Sequence, residues 1–274
     1  YVMVDRYFGS GAYQATATTL TSLCADPGNE GAPCDDGNAC TSGERCGGGI
    51  CTAGDAIACD DGITCTRDAC VPTTGCVHVP EHVACGPCAA CDTTRGCIEG
   101  PRPDCRATTF PGSSVLKLHD ASNDAADQLV WKWTKGAATS PQDLGAPATT
   151  TDYRLCLYDE SHGAPELTLR ADVPAGGLCN GSPCWEHAGP ALKYRNSART
   201  PDGIAKLVVK AGNAGQAKVT LKAKGALLPP LPAVPLPLPL RVQHHAEDAT
   251  CFEAVVGNAG VLRNDRAAFV GHND

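Results

Sequence analysis

The chain has 274 residues, a net charge of −8 with histidine neutral, 18 cysteines and a single methionine. So many cysteines exclude a reducing cytosolic setting unless metal fills them, and they fit oxidising surroundings. No run of about 18 apolar residues occurs, so no helix-type membrane span is expected, and the absence of Cys-x-x-Cys-His excludes covalent c-type haem.

Charge is unevenly placed. Residues 1–109 carry 14 Asp/Glu against 6 Arg and no Lys, whereas residues 110–274 balance 16 acids with 16 bases. The acidic half repels nucleic acid, so no nucleic-acid partner is expected, while divalent cations or basic surfaces suit it. Tyr1 opens without a basic n-region or an apolar h-region, and the reading expects a leader removed upstream and a secreted protein.

Residues 1–23 form a cysteine-free arm that holds four of the 13 aromatics, Tyr1, Tyr7, Phe8 and Tyr13. Val2 and Val4 alternate with polar or flexible neighbours, the period of a short strand. The arm reads either as a linker from an upstream domain or as a strand donated to another subunit. In the second reading Tyr1, Val2, Val4, Tyr7, Phe8 and Tyr13 are the subunit contacts.

Residues 24–109 repeat. Cys34-Asp-Asp-Gly-Asn-Ala-Cys40-Thr returns 25 residues later as Cys59-Asp-Asp-Gly-Ile-Thr-Cys65-Thr. Cys46 and Cys51 complete the first copy, and Cys70 and Cys76 the second. A degenerate third copy holds Cys85, Cys88, Cys91 and Cys97 without the Asp-Asp-Gly. Cys24 and Cys105 then form an outer pair or link to neighbouring copies. Units with so few large apolar residues depend on disulfides, each stabilising by about 2–4 kcal/mol, and stack into a stiff rod.

The Cys-Asp-Asp-Gly-x-x-Cys-Thr pattern at 34–41 and 59–66 resembles the cysteine-rich repeats of slime-mould extracellular matrix proteins, and related arrays occur in large secreted proteins of environmental bacteria. The resemblance covers about 80 residues, implies an extracellular structural role and carries no catalytic residues.

Residues 110–274 read as an all-β domain. Leu129, Trp131 and Trp133 share one face of a strand, as do Tyr153, Leu155 and Leu157, and Leu167 and Leu169. Residues 205–210 and 217–222, joined through Gly212-Asn213-Ala214-Gly215, form a hairpin with lysines on one face and aliphatics on the other. The fold expected is mostly β, a small disulfide-rich repeat array followed by an antiparallel β-sandwich-like domain. Residues 116–135 and 177–194 resemble an uncharacterised domain at the ends of bacterial secreted proteins, a likeness that implies no activity. The segment 229–239 has six prolines in 11 positions. It reads as extended polyproline II, either a crossover laid over the sandwich or a docking strip.

The remaining four cysteines are Cys156, Cys179, Cys184 and Cys251. Both halves hold an even number, which fits closed pairing within each. Cys179 and Cys184 enclose four residues and are expected to pair, which leaves Cys156 for Cys251 by elimination.

Chemistry is sparse. The spacing Cys85-x2-Cys88-x2-Cys91 matches some metal sites, but its setting favours disulfides. Asp35, Asp36, Asp60 and Asp61 offer oxygens to calcium, although adjacent acids supply only part of its shell. The competing reading is that they cap their own turns beside Gly37 and Gly62. No other cofactor is expected. No Gly-x-Ser-x-Gly, His-Glu-x-x-His or phosphate loop occurs, and Ser161-His162 reads as a hairpin loop. His244 and His245 point to opposite faces of a strand, which suits one metal poorly. Asn180-Gly-Ser182 fits the glycosylation pattern within a tight cysteine loop. The sequence therefore reads as a secreted, non-enzymatic structural protein of the cell surface that self-associates into a filament or sheath. An adhesion module on a cysteine-rich stalk is the alternative.

Overall fold

A computed structural model describes residues 23–247 and 250–274. The contacts proposed for Tyr1, Val2, Val4, Tyr7, Phe8 and Tyr13 lie outside the described residues. The described chain divides into two compact units between Pro80 and Glu81.

In the first unit, β1 (Thr41–Ser42), β2 (Arg45–Gly47), β3 (Ile50–Thr52) and β4 (Asp55–Ala56) belong to the first repeat. There β2 pairs with β3 and β1 with β4. The second repeat supplies the hairpin β5 (Thr66–Val71) and β6 (Gly75–Pro80). Among the described residues of this unit only Cys24, Cys46 and Cys65 are fully buried. Disulfides thus stand where a hydrophobic core would be, as so apolar-poor a sequence requires.

The repeats share a pairing rule. The first cysteine joins the fourth in all three copies, as Cys34–Cys51, Cys59–Cys76 and Cys85–Cys97. Cys40, second in its copy, joins Cys70, third in the next, and Cys24 takes Cys46. Cys65 and Cys91 are disulfide-bonded as well.

In the second unit, β7 (Ala89–Asp92) and β8 (Gly96–Glu99) form the hairpin of the third copy. A sandwich follows. Its strands are β9 (Ser114–His119), β10 (Gln128–Gly136), β11 (Tyr153–Asp159), β12 (Glu166–Val173), the short pair β13 (Leu178–Cys179) and β14 (Ser182–Pro183), β15 (Trp185–Ala188), β16 (Ala191–Arg195), β17 (Ile204–Lys210), β18 (Ala217–Lys224), β19 (Leu240–Ala246), β20 (Cys251–Val256), β21 (Val261–Asn264) and β22 (Ala268–His272). An eight-stranded sheet runs β15-β16-β17-β18-β10-β9-β22-β21, and a four-stranded sheet runs β12-β11-β19-β20. Both are antiparallel throughout.

Alternate residues of both sheets meet in one core, with Leu129, Trp131, Trp133, Leu207 and Leu221 on one side and Tyr153, Leu155 and Val242 on the other. The indole N–H of Trp133 donates to the Glu253 carbonyl at 2.9 Å, so this ring is both packed and satisfied. Gly136 lies against that ring, and a Cβ at this position would collide with it.

Three expectations change. Leu167 and Leu169 do not share a face: the β11–β12 register shifts between Leu157 and Tyr158, which pair with Leu169 and Leu167. This bulge leaves Leu169 in the main core and turns Leu167 toward Cys156 and Tyr158 on the other side. The proline segment is indeed a crossover between the sheets, with Leu228 and Leu236 buried and Leu231, Val234 and Leu238 packed on the core. It is not one continuous polyproline II helix, because the chain bends at Val234, Pro235 and Leu238.

The third change concerns disulfides. Cys179 pairs with Cys184 as expected, but Cys156 joins Cys88 and Cys251 joins Cys105. Cys156 on β11 and Cys251 on β20 are separated by β19. Two strand spacings amount to about 9–10 Å, beyond the Cα separation a disulfide spans. Closed pairing within residues 24–109 and 110–274 therefore fails.

Candidate functional site

The two rewired disulfides define a third layer. Residues 88–106 cross the outer face of the four-stranded sheet, touching each of its inner strands and β20. Tyr158 on β11 donates its hydroxyl to the Gly100 carbonyl at 3.2 Å. Gln243 on β19 clamps the backbone of Arg102, accepting from its N–H at 2.9 Å and donating to its carbonyl at 2.8 Å. Arg106 pairs with β20, donating its N–H to the Cys251 carbonyl and accepting from the Glu253 N–H, each at 2.8 Å. Burial raises the Tyr158 phenol well above its ordinary pKa. The groups that meet at Gly100 and Arg102 are polar, buried and paired, so these contacts hold the segment as a fixed brace.

His244 and His245 do face opposite ways. His245 lies under the brace, with Nε2 2.9 Å from Gln243 Oε1 and Nδ1 accepting from the Cys88 N–H at 3.4 Å. His244 lies in the main core, stacked on Tyr153 with ring centroids 5.1 Å apart, and neither ring nitrogen has a hydrogen-bond partner. Burial lowers both pKa values to about 3, so both rings are neutral at neutral pH.

The four aspartates offered to calcium cap their turns. Asp35 and Asp36 accept from the N–H groups of Gly37 and Asn38, and Asp60 and Asp61 from those of Gly62 and Ile63, all at 2.8 Å. Gly37 and Gly62 take φ near +79° and +74°, the left-handed conformation such a turn requires.

Asp61 does something further. Asp68 on β5 stands opposite His78 on β6, and His78 Nδ1 lies 2.8 Å from Asp68 Oδ1 and 3.4 Å from Asp61 Oδ2. The other Asp68 oxygen accepts from the Asp61 N–H at 3.1 Å. The hydrogen bond to Asp68 raises the His78 pKa, and His78 lowers that of Asp68. Such a group can hold a proton or offer three ligand atoms to a divalent cation. Ala53 stands two residues after Cys51, where the second copy has His78 two after Cys76. The signal for this pair was present in the sequence, in the hairpin register around Cys70 and Cys76.

Other sequence candidates stay apart. Cys85 and Cys88 are consumed by disulfides. Ser161 Oγ and His162 Nδ1 are 3.0 Å apart in the exposed β11–β12 turn, which is the polar loop expected. Asn180 holds Ser197 from the β13–β14 turn. An open groove of about 570 Å³ beside Thr139, Pro141, Asp143, Pro190 and Asn213 has one ionisable lining group, Asp143. That carboxylate is tied to Arg106 at 2.8 Å and held down to about pKa 2.

The strongest electrostatic feature was legible only in part. The chain contains nine lysines. Lys117, Lys132, Lys193, Lys206, Lys210, Lys218, Lys222 and Lys224 all lie on the outward face of the eight-stranded sheet, alternating with core residues of their strands. Lys206 stands directly opposite Lys222, and Lys210 opposite Lys218. Among the described residues none of the eight makes an ion pair. The sequence shows the hairpin's share of this face, but the other strands join it only once the sheet order is known.

No protein-family model, curated protein or solved structure matches the chain. The fold and chemistry define a disulfide-rich, mostly-β protein, and among the described residues no helix is long and apolar enough to cross a membrane.

Proposed function

We propose that this chain is an extracellular, non-enzymatic structural protein whose copies associate into a filament or sheath at a cell surface. One observation carries the reading: no cysteine is free, and the first unit has disulfides in place of an apolar core. Such a scaffold persists only where thiols are not kept reduced. The likeness of the Asp-Asp-Gly repeats to those of slime-mould matrix proteins agrees with that setting, and the clamped third layer suits a part that bears load. Sedimentation velocity of the oxidised full chain over a concentration series tests the association. Species that grow with concentration support it, and a single species of 28.2 kDa at every concentration contradicts it.

A further inference from the structure

The lysine face has little counter-charge of its own among the described residues. Glu186, opposite Lys193, is the one acid that strand pairing brings to it, and Arg195 adds a further cation opposite Lys206. Like charges directly opposite one another destabilise a sheet, yet two such lysine pairs stand on one hairpin. An anionic surface laid over them would relieve that repulsion.

The same chain contains such a surface. Residues 24–80 carry nine Asp/Glu against two Arg and no Lys. Asp26, Glu30, Asp35, Asp55, Asp60 and Asp61 are exposed. Arg45 forms no ion pair with them among the described residues; its guanidinium donates to the Gly31 carbonyl at 2.9 Å. Two sheet edges are meanwhile guarded against strand addition. Arg106 already pairs with β20, and the Asp202 carboxylate takes the Asp172 N–H of β12 at 2.7 Å.

We propose that the outward lysine face of the eight-stranded sheet docks the acidic cysteine-rich unit, residues 24–80, of a second copy of this chain. The proposal rests on the self-association reading and names the surfaces that perform it. Because the two surfaces differ, the contact is head-to-tail and propagates instead of closing on a pair.

Two full-length oxidised variants test it by sedimentation velocity. One carries Lys206→Glu, Lys210→Glu, Lys218→Glu and Lys222→Glu; the other carries Glu30→Lys, Glu44→Lys and Asp55→Lys. Each alone is expected to stay monomeric where the wild type assembles, and an equal mixture, in which the unaltered surfaces attract and the two reversed surfaces attract as well, is expected to restore assembly. Wild-type assembly should weaken at least tenfold at about 0.5 M salt, where the Debye length falls to a few ångströms. Should the glutamate set misfold by circular dichroism, the Lys→Gln set at the same positions must still weaken assembly at least tenfold. A variant that assembles as the wild type does, or assembly indifferent to salt, overturns the proposal while leaving self-association standing. Lysine variants that lose retention on an anionic polysaccharide while still assembling would show that the occupant is a glycan, which also overturns it. A wild type that never assembles refutes the self-association reading itself.

Discussion

Cys88 is joined to Cys156 on the outer face of β11, 68 residues further along the chain. In its own copy Cys88 is the second cysteine, the position that in the first copy reaches forward to the next repeat through Cys40–Cys70. The last repeat has no successor, and the sandwich takes the place of one. Within the second unit, residues 88–105 are therefore crosslinked to the sandwich through Cys88–Cys156 and Cys105–Cys251. Replacing Cys88 and Cys156 together with alanine should destabilise the second unit by about 4 kcal/mol, the chain-entropy value for a loop of this length. Denaturant unfolding of the full chain, followed by tryptophan fluorescence, measures it; an unchanged midpoint would mean that the brace holds without its bond.

The two buried histidines make the sandwich acid-sensitive. Their folded pKa values lie near 3, below the unfolded value of 6.5. As pH falls below 6.5 the unfolded chain binds protons that the native chain refuses, so stability drops by about 1.4 kcal/mol per pH unit for each histidine. His244→Phe keeps the stacking on Tyr153 and breaks no hydrogen bond. It should be neutral or stabilising at pH 7 and should reduce the loss between pH 6.5 and 4.5 by about 2–3 kcal/mol. Urea midpoints at the two pH values decide this, and an unaltered pH slope would contradict the burial of His244.

His78 behaves in the opposite sense, whereas its partner Asp68, like the buried histidines, loses its contribution as pH falls. The raised His78 pKa makes its pairing stabilising at low pH and lost as pH rises through the folded value, whereas the lowered Asp68 pKa makes its share present above the carboxylate range. The pair thus acts between these limits. Asp68→Asn should bring the His78 pKa down, as read by NMR titration of the ring protons. A His78 pKa that stays raised would assign the effect to Asp61.

Asn264 ties the proline crossover to the sheet edge, accepting from the Leu236 N–H at 2.7 Å and donating to the Leu236 carbonyl at 2.8 Å. Asn264→Ala leaves two partly buried backbone groups unpaired and should cost about 1–3 kcal/mol. Hydrogen exchange at the Leu236 amide should quicken in that variant; unchanged protection would show that packing alone holds the segment.

What the sequence made legible follows the range of the interaction. Alternation placed Trp131 and Trp133 in the core, and the Gly212–Gly215 turn paired β17 with β18, because both are local signals. The Asp-Asp-Gly turns were equally readable, each carboxylate capping a group two residues away. Cys156 was misassigned because disulfide choice depends on sheet order, which put β19 between it and Cys251. Leu167 was misplaced because a bulge reverses facing without changing composition. Lys117 and Lys132 join Lys206 and Lys222 on one face only through the order β17-β18-β10-β9, which no single segment encodes.

The central claim is that copies of this chain build an extracellular assembly. Cryo-electron microscopy of the material in its native, oxidised state tests it most directly. The account predicts subunits repeating along an axis, with the lysine face of each sandwich covered by the cysteine-rich unit of a neighbour. Dispersed single chains with that face bare would contradict it.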